Sequence, residues 1–168
     1  MPPQEGCTVG TEFSQALTVD RRVTQSASSV ADLVARVTRL DTNAVDNLMK
    51  VVEQLMSPYD LTPLTVTIVS VKASNSGGAD PKMTVDWSRN NKGQTPYARN
   101  SEYKNIPKGL IAVGESVIVG EATYNYSPLI FNYFIQNAFS MEERFYLKPR
   151  QTSCVSLDPI NCVTGNNF

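Results

Sequence analysis

The sequence predicts an α+β fold, a long N-terminal helix and a second helix packed on an antiparallel sheet. One change of pattern and one capping signal carry that expectation. Apolar residues recur every three or four positions as far as Met56, and the period drops to two after Pro63. Between the helical stretches, Asp41, Thr42 and Asn43 offer N-cap side chains.

The first helix is expected over residues 12–40. Phe13, Ala16, Val23, Ala27, Val30, Val34 and Val37 fall on one narrow stripe, and no Gly or Pro interrupts Glu12 to Met56. Asp32 stands four residues before Arg36, the orientation that supports a solvated helical face. An ordinary core-facing helix accounts for this stripe, and the short heptad pattern without Leu argues against a coiled coil. The second helix is expected over 44–56, with Asn43 as cap, Asp46 at the third position and Ser57-Pro58 as the stop. Its buried face is Val45, Leu48, Met49, Val52, Leu55 and Met56.

Strands follow. Residues 64–72 are rich in β-branched side chains, and Met83, Val85 and Trp87 alternate with Lys82, Thr84, Asp86 and Ser88. Ser74 to Gly78 supply the turn of an antiparallel hairpin over 64–72 and 82–88. Residues 89–109 read as a polar surface excursion. A third strand is expected over 116–126, a short apolar helix over Leu129 to Phe139 after Ser127-Pro128, and a last strand over 143–148.

Composition bounds the function. The chain has 168 residues, enough for one domain, and its 41% hydrophobic content suffices for a packed core. Fifteen Lys and Arg against 16 Asp and Glu give a net charge of -1, which removes the global pull toward nucleic acid. Histidine is absent, so Ser-His-Asp and Cys-His catalysis and His-ligated zinc are excluded. Adjacent Glu142 and Glu143 make a poor carboxylate pair, because neighbours on a strand face opposite ways. No phosphate-binding, dinucleotide-binding or nucleophile-elbow motif occurs. No catalytic residue, cofactor or metal ligand is therefore expected; a calcium site from Asp80, Asp86 or Asn90-Asn91 is outweighed by how commonly scattered oxygens occur in turns.

Two features remain as candidate sites. Cys154 and Cys162 bracket Asp158-Pro159, a turn signal that brings the sulfurs together as a small disulfide loop; two buried free thiols are the alternative. A bridge would point to an oxidising, extracytoplasmic setting. Cys7 stands alone and reads as unpaired or linked to a partner. The middle of the chain, residues 61–115, is the one basic segment. Its Trp87, Tyr97 and Tyr103 interleave with Lys82, Arg89, Lys92, Arg99 and Lys104, a composition that suits a polyanion or a sugar. A hairpin and loop with Trp87 facing the core explains the same residues.

Several segments, in order, resemble the TadE-type minor pilins, or pseudopilins, of the tight-adherence (Tad, type IVc) pilus system. Gly10 to Leu17 resembles the end of that family's N-terminal membrane helix, and Val30 to Ala35 the helix beyond it. Glu115 to Val119, Tyr124-Asn125-Tyr126-Ser127-Pro128-Leu129 and Tyr146-Leu147-Lys148-Pro149-Arg150 resemble its strand, its turn and its aromatic-x-x-Pro-Arg ending. The resemblance implies a pilin-like fold and a membrane-anchored envelope protein on the periplasmic side, in or beside the pilus. It also implies packing with other minor pilins and the major pilin, and no catalysis. Residues 1–11 are expected to be a leader in which the family's processing site and apolar anchor are missing, and 12–168 a single pilin-like domain. On this reading Phe13, Leu17 and Val23 dock a partner, while Val30, Val34 and Val37 serve the head's own core. The competing function is an extracellular, adhesin-like binding module that uses Lys92, Arg99 and Lys104 for polysaccharide, DNA or a surface.

Overall fold

Strands with β-branched residues on both faces need two covering layers, and this chain supplies them from different sources. The computed structural model describes residues 5–75, 80–127 and 139–162, with side chains from Ser14 onward. In chain order the elements are α1 (Glu5–Ala35), β1 (Arg39–Leu40), α2 (Thr42–Met56), β2 (Leu64–Ser74), β3 (Lys82–Asn90), β4 (Ser116–Tyr126), β5 (Phe139–Leu147) and β6 (Ser156–Leu157). The main sheet runs β3-β2-β4-β5 and is antiparallel throughout. The α+β class and the two-helix, four-strand layout thus agree with the expectation. The helix expected over 129–139 lies outside the described residues except for Phe139, which opens β5.

The helices cover one face of the sheet. Val19, Val23, Ala27, Val30, Ala31 and Val34 of α1 meet Val66, Ile68, Ile118 and Ala122 of the strands, with Val45, Met49, Val52 and Met56 of α2 closing the side. Gly120 lets α1 come close: a Cβ there would stand 2.9 Å from Ala31 Cβ and closer still to the Ala27 carbonyl oxygen. Arg22 joins the helices by donating to the Leu55 and Ser57 carbonyls at the C-terminal end of α2, where a cation meets the negative end of the helix dipole.

The boundaries differ from the sequence reading in instructive ways. α1 stops at Ala35 and not near Leu40, because its last carbonyl accepts from Arg150 N and Arg39–Leu40 pair in parallel with Ser156–Leu157. Val37 therefore lies beyond the helix and is only partly buried. α2 begins two residues earlier than expected. Asp41, not Asn43, is the N-cap and accepts from Ala44 N at 2.6 Å. Asp46 is thereby free for a two-pronged ion pair with Arg89 at 2.7 and 2.8 Å, tying α2 to β3.

β3 departs most from simple alternation. Ser70 pairs with Trp87 while Val71 pairs with Val85, so Asp86 is the extra residue of a β-bulge. The bulge splits the expected one-sided set: Trp87 turns to the helix-side core, and Val85 and Met83 turn to the opposite face. On that face the expected surface excursion is a second packed layer. Tyr97, Tyr103, Ile106, Leu110 and Ile111 cover Val69, Val71, Val85, Val117 and Val119.

The C-terminal strap locks the helix-side core. Val155 is fully buried and its carbonyl accepts from the Trp87 indole at 2.8 Å. Ser156 N and Asp158 N bond to Thr38 O and Leu40 O, and Arg39 pairs with Asp158. Cys154 and Cys162 are bridged, with Cα atoms 6.1 Å apart. Replacing both cysteines with serine should lower unfolding free energy by about 2 to 3 kcal/mol, the loop-entropy value for so short a ring. Urea melts of the oxidised wild type against the double variant measure it, and unreacted bridge sulfurs in non-reduced, alkylated protein verify the pairing by mass.

Candidate functional site

Residues proposed for docking lie at the start of α1, where the helix changes character. Among the described side chains of α1, which begin at Ser14, the first that is fully buried is Val19. Ser14, Gln15, Leu17 and Thr18 are exposed, and Leu17 keeps 47% of its surface in solvent. Val23 does not belong to this surface. It is fully buried in the head's core, because β4 and β5 are long enough for the sheet to reach past it to Val19. The exposed part thus ends at Thr18, one helical turn earlier than the sequence suggests. Phe13 is helical, and its side chain lies outside the described ones. Among the described residues no helix is long and apolar enough to cross a membrane.

Around the basic segment the aromatic side chains are committed inward. Trp87 is 2% exposed and bonded to Val155; Tyr103 is likewise 2% exposed and donates to Glu121 Oε1 at 2.5 Å. Tyr97 stacks edge-on against Tyr103 and donates to Glu121 Oε2 at 2.8 Å, while Arg144 reaches the same carboxylate at 3.3 Å. Glu121 is therefore the peg on which the loop layer hangs. Sequence reading missed it, because an isolated glutamate in a β-branched strand carries no local signal of three partners from distant segments.

Lys92, Arg99 and Lys104 are exposed, as a ligand surface needs, but they are not gathered. Lys92 sits in the turn after β3, whose Asn90 side chain accepts from Lys92 N and Gln94 N. Arg99 lies 3.7 Å from the buried Asp86, which Lys72 also approaches to 3.7 Å. Burial pushes the Asp86 carboxyl up from its ordinary range, and Lys72 and Arg99 pull it partly back. The open groove beside Lys104 is lined by Asp80, Lys82, Glu102 and Lys108 and includes neither Lys92 nor Arg99. The oxygens weighed for a cation have other duties. Asp80 pairs with Lys108, and Asn91 bonds the β2 backbone at Val66 N and Leu64 O.

The Glu121 peg has a pH signature. Burial first, then the hydrogen bond to Glu121, raise the Tyr97 hydroxyl from 10.0 to about 12, and the same two causes push Tyr103 higher. A folded-state pKa raised above the unfolded one contributes stability that is present below pH 10 and lost as pH climbs toward the folded value. The melting temperature should therefore fall between about pH 10 and 12 in step with tyrosinate absorbance. Glu121→Gln should shift tyrosine ionisation to lower pH; unchanged absorbance titration in that variant would contradict the assignment.

No family model, curated protein or solved structure matches the chain.

Proposed function

We propose that the chain is a minor pilin, or pseudopilin, that takes part in assembling or starting a tight-adherence (type IVc) pilus through protein-protein packing, without catalysis. The observation that carries this reading is the division of α1. Residues from Val19 on are the head's own core, whereas the turn before them presents Leu17 to solvent. A helix that is the spine of a head and carries an exposed Leu17 just before Val19 suits lateral packing beside the helices of similar subunits. The segments that carry the resemblance lie in ordered parts of the fold. Gly10 to Leu17 lies in the first half of α1, Tyr124 to Tyr126 ends β4, and Arg150 closes onto the end of α1 through Ala35 O.

On this reading the partners are other minor pilins and the major pilin. The protein is held at the inner membrane by a helix leading into α1, with the head on the oxidising side where the Cys154 to Cys162 bridge persists. Affinity purification of the full-length protein from cross-linked envelope membranes should recover at least one other pilin subunit. Recovery of none, with the bait intact and membrane-bound, would refute the proposal. The adhesin-like alternative draws less support, because Trp87, Tyr97 and Tyr103 spend their rings and polar atoms inside the head. Charge reversal of Lys92, Arg99 and Lys104 together should leave pilin recovery unchanged.

A further inference from the structure

A carboxylate taken out of water is comfortable only where donors replace the water. Among the described residues Asp86 is the most deeply buried acid, 2% exposed, and its Oδ2 has no hydrogen-bond partner. Lys72 of β2 and Arg99 of the returning loop are the charged groups that act on it, and each stands 3.7 Å from Oδ1, longer than a hydrogen bond. Ser70, across the bulge, does not supply one: its buried hydroxyl also lacks a partner among the described residues. The charge is therefore attracted from a distance and poorly solvated. Its cover on the loop side is short. Arg99 belongs to the segment that closes the β3 edge, where Asn100 N donates to Val85 O at 2.7 Å, Val85 N to Ser101 O at 2.9 Å and Tyr103 N to Met83 O at 3.0 Å. Asn100 takes φ 63, the left-handed region that asparagine enters more readily than most residues, and Ser101 turns back to donate to Ala98 O. The bonds to Val85, the residue before Asp86, come from this one tight reversal, so lifting it uncovers the bulge.

We infer that residues 98–103 form a proton-controlled clasp on the β3 edge: with Asp86 neutral the clasp stays shut, and with Asp86 charged it loosens and frees the backbone groups of Met83 and Val85. Opening returns the carboxylate to water, which favours the charged form, and a bound proton removes that gain. Burial pushes the Asp86 carboxyl up from its ordinary range, and Lys72 and Arg99 pull it only partly back. A group whose pKa is higher in the closed state than in the open one contributes stability that is complete below the ordinary carboxylate range and is lost as pH rises through the closed-state value. Closure is therefore tightest in acid, the reverse of what a well-paired surface aspartate does. The device is independent of what the head docks to, and it works at the opposite end of the pH scale from the Glu121 peg.

Hydrogen-deuterium exchange of the full chain over a pH series, corrected for the intrinsic effect of pH on exchange, tests this beside an NMR titration of the Asp86 carboxyl. The amides of Val85, Asn100 and Tyr103 should lose protection as pH rises through the Asp86 titration, by up to about tenfold for each unit that separates the closed-state and ordinary pKa values. The amides of β2 and β4 should keep theirs. Asp86→Asn, nearly the same shape without the charge, should hold the clasp at its acid level of protection at every pH. Arg99 is half exposed, so Arg99→Gln leaves the head folded, and by removing one of the two cations it should loosen the clasp further at neutral pH. The inference is overturned if Asp86 titrates in the ordinary carboxylate range, or if protection of 98–103 does not fall as pH rises. It is equally overturned if Asp86→Asn keeps the wild-type pH dependence, or if β2 and β4 lose protection to the same extent, which would make the opening global.

Discussion

Replacing Gly120 with valine is expected to leave little folded head at 25 °C. The new Cβ alone would stand 2.9 Å from Ala31 Cβ and nearer still to the Ala27 carbonyl oxygen, and valine adds two methyl groups beyond it. A flexible side chain could turn aside, but a carbonyl inside a helix is fixed by its own hydrogen bond. α1 must therefore lift from β4. Overpacking alone costs about 1 to 3 kcal/mol. Lifting also exposes Val23, Ala27, Val30 and Val34, which pack on Ile118 and Ala122, and each larger side chain loses about 1.5 to 3 kcal/mol of burial. The sum rivals the whole stability of an ordinary domain, about 5 to 15 kcal/mol. Gly120→Ala should be intermediate, destabilised but folded. Thermal and urea melts by circular dichroism decide the matter, and a valine variant melting within a few degrees of wild type would show that α1 does not rest on Gly120 as described.

Val34→Asp should unfold the head outright, while Leu17→Asp should leave its melting temperature unchanged and abolish recovery of a pilin partner. Val34 is fully buried with apolar neighbours, so an aspartate there either ionises at a cost of several kcal/mol or drives the helix end out of the core. Leu17 stands on the same helix with nearly half its surface in water, where a charge changes stability by no more than about 0.5 kcal/mol. Phe13→Asp should behave as Leu17→Asp does. Retained partner recovery in Leu17→Asp would break the docking assignment, and a melting temperature lowered as far as in Val34→Asp would move the core boundary toward the N-terminus.

Much of the head could be read locally. The stripe of α1, the Val45, Met49, Val52 and Met56 face of α2, the β-branched run of β2 and the bounds of β4 all follow from period and capping, because each is set by residues within one or two turns or a few strand positions. The turns gave way where distant chain intervened. Asp41 won the cap over Asn43, Arg89 claimed Asp46, and the strap at 150–158 ended α1 at Ala35. For the candidate site the same contrast holds. Leu17 is exposed, as the docking proposal needs, but Val23 was not separable from it, since one helical stripe looks alike whether the sheet beneath continues or stops.

The sequence by itself determined the class, the absence of imidazole chemistry, the helices, the strands and the nearness of Cys154 to Cys162, because these depend on composition, periodicity and short spacings. Tertiary structure alone decided three things. It turned most of the excursion expected over residues 89–109 into a covering layer, since only the assembled sheet offers Glu121 to both Tyr97 and Tyr103. It placed the bulge at Asp86 that sends Trp87 and Val85 to opposite cores, because a one-residue slip reverses the facing of all that follows and only pairing with β2 fixes it. It closed the β3 edge of the sheet with the returning backbone of residues 100–103, a contact between segments that no local pattern encodes.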